Sequence, residues 1–265
     1  AAPAPADAAA APSAAAAAPS LFCFSLVMPG GLELDLVKEQ YEQQVSIFGC
    51  DRALVFSNVS LEIAEGLTTS VVAVSLDVPS SPNVFVSVWQ GVELQGEYTS
   101  YDWVVKVDVD TVFLPQRLRD ALVNLGEVAT PAYLNNCWGG MHGSIEVLQR
   151  EAVTAYLLGY LQCEDIRQAA MAPPQDGDDA IGEAVYLRRC LSVLGVTKVD
   201  DYVHGPIKLL GEPTCGSYLE QMPCDLARVA FRPFTSVEAY IACYQTATTG
   251  GSWPWQSSAP AAQAL

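Results

Sequence analysis

Basic residues are scarce in this chain of 265: 13 Lys and Arg stand against 30 Asp and Glu, for a formal charge of −17. Those few cations are scattered, with no stripe or cluster, and this excludes the electrostatic footprint of a nucleic-acid binder or of a protein held on an anionic membrane. Long apolar runs are missing too. No stretch approaches the ~20 residues that a membrane-spanning helix needs, so the chain reads as soluble or as separated from an anchor. Zinc spacing is absent, since none of the eight cysteines forms a Cys-x-x-Cys pair or a Cys/His cluster. Disulfides are the better reading, and they imply an oxidising compartment. The sequon Asn58-Val59-Ser60 fits a secretory route. No internal repeat at a fixed period is visible.

The ends differ from the middle. Residues 1–20 hold only Ala, Pro, Ser and one Asp, with prolines spaced so that no long helix runs unbroken. This is expected to be a disordered stem or linker. It lacks the basic and hydrophobic parts of a signal peptide, so any targeting or anchoring segment is expected to have been removed. A loose tail is expected over 249–265, where Trp253-Pro254-Trp255 offers an aromatic contact for the domain or for a partner protein. The N-terminal arm is the other candidate for protein assembly. The domain itself is expected over 21–248.

Within it, apolar runs of strand length alternate with segments of helical period, the signature of a mostly parallel sheet covered by helices. Strands are expected over 21–28, 53–57, 70–76, 103–107, 133–136 and 142–148. Leu34, Val37, Tyr41, Val45 and Phe48 form one helical stripe with Gly49 as its stop. Further helices are expected over 83–94, from Pro115 to about Asn124, over 151–162, and along the stripe Ala180, Ala184, Leu187, Leu191 and Leu194, closed by Gly195.

Three segments carry candidate chemistry. The strand 103–107 delivers Asp108 and Asp110 at its carboxyl end, where ligands sit in open α/β sheets. One intervening valine puts both carboxylates on the same side of an extended chain or together in a tight loop. Two hard oxygen donors so placed suit Mg²⁺ or Mn²⁺, which would bridge a diphosphate leaving group; the bland alternative is an acidic loop. A calcium loop is ruled out by the missing Gly and distant Glu. Asp176-Gly177-Asp178-Asp179 opens a helix, where acids cap and match the dipole, or where Asp178 or Asp179 serves as a general base. Gly139-Gly140-Met141-His142-Gly143 allows close backbone approach to a ligand, with His142 touching phosphate or sugar, or is a glycine-rich turn. His204 stands alone and reads as structural.

The order of these features, a strand and amphipathic helix, an apolar strand ending Asp-Val-Asp, Gly-Gly ahead of a strand, and Asp-Asp opening a helix that finishes Leu-Gly-Val, resembles the GT-A glycosyltransferases of the fringe-like β-1,3-transferase type. The likeness spans about 21–245. It implies an α/β, Rossmann-related single domain with helices on both faces of a mostly parallel sheet. It also implies transfer of a hexose or N-acetylhexosamine from a UDP-sugar to a glycan or protein hydroxyl, with inversion, and a place in the secretory pathway (Golgi or ER lumen) or outside the cell, on a stem such as residues 1–20. By position, Asp108 faces the ribose or uracil, Asp110 the metal, Gly139 and Gly140 the donor and acceptor pocket, and Asp178 or Asp179 the base. Phe231-Arg232-Pro233-Phe234 departs from the family: where a late histidine often completes the metal site, Arg232 cannot ligate a cation but can hold a diphosphate bidentately. Three readings stay open: a weakly held metal, no metal with Arg232 neutralising the donor, or a catalytically inactive binding or scaffold subunit. For the cysteines, Cys215–Cys224 is the easiest local pair. In this fold Cys23 and Cys50 are neighbours, and Cys163 and Cys190 both lie on expected helices.

Overall fold

The computed structural model describes residues 18–78, 81–137, 140–171, 182–200, 209–210, 224 and 227–251. Most of the stem, Gly139, Asp176 to Ala180, His204, Cys215 and the Trp253-Pro254-Trp255 tail lie outside the described residues.

The chain opens with β1 (Leu21–Leu26), α1 (Leu32–Glu42), β2 (Arg52–Ser57), β3 (Glu62–Ala64), β4 (Leu67–Thr68), β5 (Ser70–Val71), α2 (Pro82–Gln95) and β6 (Trp103–Val107). It continues through β7 (Val112–Phe113), α3 (Pro115–Leu125), β8 (Ala132–Asn135), β9 (Ile145–Gln149), α4 (Arg150–Gly159), α5 (Glu164–Met171), α6 (Glu183–Val193), β10 (Thr197–Asp200), β11 (Ala230–Phe231) and α7 (Val237–Thr249). Seven strands form one sheet in the order β10-β8-β9-β6-β1-β2-β5. Only β9 runs against its neighbours.

Alternation within the buried strands sends side chains to two apolar layers. Leu21 and Cys23 of β1, with Trp103, Val105 and Val107 of β6, join a core covered by α1, α3 and α7. Phe22, Phe24 and Val104 point the other way, into a core under α2, α4 and α6. Helices therefore cover both faces, the expected α/β arrangement, because parallel strands buried on both sides demand such cover. Gly91 of α2 lies so close to the sheet that a Cβ there would sit 2.9 Å from the Phe56 ring and 3.0 Å from Val72.

Several expectations need correction. The stripe from Leu34 to Phe48 is not one helix: α1 stops at Glu42, Gln44 and Ser46 take positive φ, and a 3₁₀ turn spans Ser46–Gly49. A straight continuation would carry Cys50 away from β1, where it is disulfide-bonded to Cys23 with a Cα–Cα separation of 6.1 Å. The strand expected over 70–76 is only two residues long. It pairs at the end of β2, Phe56 with Ser70 and Ser57 with Val71, and among the described residues no strand pairs with its other edge. Cys163–Cys190 forms as expected, but Cys224 pairs with Cys243 rather than with Cys215. Proximity in sequence loses here because α7, capped by Ser236 Oγ accepting from Ala239 N, presents Cys243 to residue 224. Cys137 is also disulfide-bonded. These bridges suit an oxidising environment, and among the described residues no helix is long and apolar enough to cross a membrane.

Gly91→Ala is expected to lower stability by about 1–3 kcal/mol through overpacking, outweighing its gain in helix propensity; a urea midpoint equal to wild type or higher would contradict that packing. Non-reducing peptide mapping should recover the linked pairs 23–50, 163–190 and 224–243.

Candidate functional site

The carboxyl ends of β1 and β6 and the amino end of the antiparallel β9 meet at one rim of the sheet. Asp108, Val109 and Asp110 follow β6, while His142, Gly143 and Ser144 precede β9, which brings the two segments together. One residue past Asp110, Val112 and Phe113 form β7 of a small ribbon in which β7 pairs with β11, and β11 is followed directly by Arg232. Glu33 arrives on the first turn of α1 and Glu183 on the first turn of α6. Together these residues line an open cleft of ≈ 490 Å³, with Leu26, Met28, Phe85 and Met141 as its apolar wall.

The acidic loop is held by its own backbone. Ser25 Oγ donates to the Val107 carbonyl at 2.7 Å and Thr111 N to that of Asp108 at 3.0 Å. Gln40 Nε2 donates to the Val109 carbonyl at 2.8 Å, Phe234 N to that of Asp110 at 3.0 Å, and Tyr240 Oη to that of Thr111 at 3.2 Å. Five consecutive carbonyls thus meet donors from five parts of the chain. A loop whose carbonyls are met in this way holds its side chains in place without help from a ligand.

Both expected carboxylates face a cation. Asp108 Oδ1 lies 2.7 Å from Nζ of Lys106, and Asp110 Oδ2 lies 3.7 Å from Nη2 of Arg232. Lys106 is only 2% exposed. It donates to the Gly143 carbonyl, sits 4.3 Å over the Phe85 ring, and lies 3.7 Å from Glu183 Oε2. Burial alone would pull its pKa down; Asp108, Glu183 and Glu146 more than reverse this, and it stays charged. Gly143 must be small here, because a Cβ on it would come within 3.0 Å of Glu183 Oε2 and 3.6 Å of Lys106 Nζ.

Beneath the cleft, Glu146 stands opposite Lys106 in the β6–β9 register and is fully buried. Neither of its oxygens has a hydrogen bond of good geometry. Burial and the nearby Glu183 carboxyl push its pKa well above the ordinary range, and burial raises Glu183 as well. One lysine cannot neutralise Asp108 and two more carboxylates, so the arrangement favours a proton shared within the pair. Burial, followed by Asp108, also raises Asp110, and burial raises Glu33 with help from both aspartates.

His142 is neutral: burial and then the Arg232 charge lower its pKa to about 4. Arg232 Nη1 is 3.1 Å from Nε2 and 3.4 Å from Nδ1 of that ring. A position nearly equidistant from both nitrogens places the guanidinium across the ring face rather than on one lone pair. Its Nε is buried and has no hydrogen-bond partner.

Of the residues singled out in the sequence, Asp108, Asp110, His142 and Arg232 converge on the cleft. Gly140 does not line it; a Cβ there would meet Arg188 Nε at 2.7 Å, so its role is close packing against α6. Gly139, Asp178 and Asp179 lie outside the described residues. Lys106, Glu33, Glu146 and Glu183 were not foreseen. Two of them had a legible signal: a lysine inside Trp-Val-Val-Lys-Val and a glutamate inside Ile-Glu-Val-Leu are charges in strands too apolar to leave them solvated, and buried charges require partners.

The cleft fits Mn²⁺ or Mg²⁺ poorly. Among the described residues no three His, Cys, Asp or Glu side chains group so as to hold an ion. Such ions need about six oxygen ligands, whereas Asp108 and Asp110 are already matched by Lys106 and Arg232.

The raised Glu146 pKa has a stability consequence of definite sign. A carboxyl that ionises less readily folded than unfolded stabilises the fold below the ordinary value of 4.5 and loses that contribution as pH rises through its folded value. Glu146→Gln needs no retained proton. Its melting temperature should therefore fall less than wild type's as pH rises above the ordinary carboxylate range, and an equal fall in both proteins would contradict the shared-proton arrangement.

The sequence matches no protein-family model and no curated protein. Among solved structures, the chain is similar to one described as the crystal structure of a glycosyltransferase involved in the glycosylation of the major capsid of PBCV-1, at 13% identity, covering 71% of this chain and 83% of that chain with a TM-score of 0.43.

Proposed function

We propose that the chain is an inverting glycosyltransferase that moves a hexose or N-acetylhexosamine from a UDP-sugar to a hydroxyl of a glycan or protein. The observation that carries this reading is the convergence of Asp108, Asp110, His142 and Arg232 on one open cleft at the carboxyl rim of a mostly parallel sheet, the place where such sheets bind nucleotides. The fringe-like order of motifs in the sequence agrees with it. Lumenal or extracellular residence follows from the same reading, together with the disulfides.

In this scheme the diphosphate lies against Arg232, whose fork of donors matches phosphate oxygens, and Asp108 accepts from ribose or base hydrogen-bond donors. The acceptor hydroxyl attacks the anomeric carbon from the face opposite the diphosphate. Its oxygen–carbon bond forms as the carbon–oxygen bond to UDP breaks, UDP departs as the anion, and the hydroxyl proton passes to a carboxylate. Asp178 or Asp179 is the proposed base. Neutral His142 offers a hydrogen-bonding edge to sugar or phosphate.

A second reading, a catalytically inactive scaffold of the same fold, is favoured by the fact that both carboxylates already face a cation of the chain. Incubation with a panel of UDP-hexoses and UDP-N-acetylhexosamines separates the two. The transferase releases UDP from at least one donor, and Asp108→Asn slows release by about tenfold or more. Binding of UDP without turnover on any donor selects the scaffold.

A further inference from the structure

We infer that the cleft binds the diphosphate of its nucleotide without a divalent metal, with the Arg232 guanidinium standing where a metal-dependent site would hold its ion. The inference rests on the reading of the cleft as a nucleoside-diphosphate site. It is carried by the way the local charges are arranged.

Lys106 and Arg232 approach the two carboxylates from different sides. Lys106 reaches Asp108 from inside the domain, at 2.7 Å, and is almost sealed from solvent. It compensates Asp108 permanently and cannot move aside for an ion, because the Gly143 carbonyl and the Phe85 ring also hold it. A divalent cation at Asp108 would have to lie beside that fixed ammonium. At such a separation the ammonium repels a divalent ion even in water, and more strongly in a partly buried cleft.

Arg232 differs from Lys106 in being available. Its side chain is 22% exposed and its contact with Asp110 is long, at 3.7 Å. Its Nη1 spans the face of a neutral imidazole, and its Nε has no partner. A guanidinium has five donors in a planar fork. Here they are under-used, so the group can take a phosphate bidentately without first breaking a strong ion pair. The His142 ring holds Nη1 in place and, being uncharged, does not compete for the anion. With Asp108 already compensated by Lys106, Arg232 is the cation left to meet the diphosphate, and it is attached covalently.

Asp110 has a different part in the two schemes. As a metal ligand it would be required for binding; beside a guanidinium that receives the diphosphate, it is a nearby negative charge that weakens the anion's hold.

Calorimetric titration of UDP, in EDTA and in Mn²⁺, tests this on the wild-type chain and three variants whose folding is checked by thermal melting. Wild type should bind with the same affinity in both buffers to within about twofold. Arg232→Ala should lose about tenfold or more in both. Asp110→Asn should bind UDP more tightly, by about threefold or more. Arg232→His, which supplies a neutral imidazole in place of the cation, should bind weakly in EDTA and recover part of the loss in Mn²⁺. Wild-type binding that falls about tenfold or more in EDTA, or that is abolished by Asp110→Asn, overturns the metal-free assignment while leaving the nucleotide site in place. No UDP binding in either buffer overturns both.

Discussion

A buried ammonium is the constraint around which this molecule is arranged. Lys106 interrupts an apolar strand at the centre of the sheet, on the face that packs against α2, α4 and α6, and its charge has to be met where it stands. The chain meets it with Asp108 from the loop above, Glu183 from α6, Glu146 from the neighbouring strand, the Gly143 carbonyl and the Phe85 ring. Removing one member of such a cluster strands the others, at a cost of about 3–5 kcal/mol for a buried pair. The cluster therefore ties four segments of the cleft to one point, and the position of Asp108 follows from it.

The acidic loop and Arg232 are linked in the same way. Phe234 N bonds the Asp110 carbonyl and Tyr240 Oη that of Thr111, so the segment carrying Arg232 and the helix after it are braced on the loop they serve. The Cys224–Cys243 bridge secures that helix one turn further along the same face. A preorganised cleft spends little binding energy on ordering itself, which matters in a chain whose net charge of −17 opposes any anionic ligand at long range.

Legibility in the sequence followed the strength of the local signal. The runs in β1, β2 and β6, the amphipathic stripe of α6 and the proline start of α3 were readable because apolar period and punctuation agree there. The first helix was read too long, since its stripe continues through Val45 and Phe48 while the disulfide at Cys50 bends the chain back. Short elements such as β7, β10 and β11 leave too few residues for a period to register, and they exist because partners elsewhere complete their hydrogen bonds. In the site, Asp108, Asp110, His142 and Arg232 were visible as chemistry-bearing types near glycine, proline or a strand end. Lys106 and Glu146 carried a signal as charges inside apolar strands, whereas Glu183, at the start of a helix, looks in sequence like any surface acid.

The sequence by itself determined the class of fold, the strand end at which Asp108 and Asp110 stand, and the oxidising habit of its cysteines, all of which depend on residue type and short spacing. Tertiary structure alone decided which charges meet. That Asp108 is held by Lys106 from below and Asp110 faces Arg232 from the side is set by β6 lying against β9 and β7 against β11, pairings between residues as far apart as Phe113 and Ala230. Electrostatic energy depends on separations of a few ångströms, and separation in space is the quantity that order along a chain does not contain.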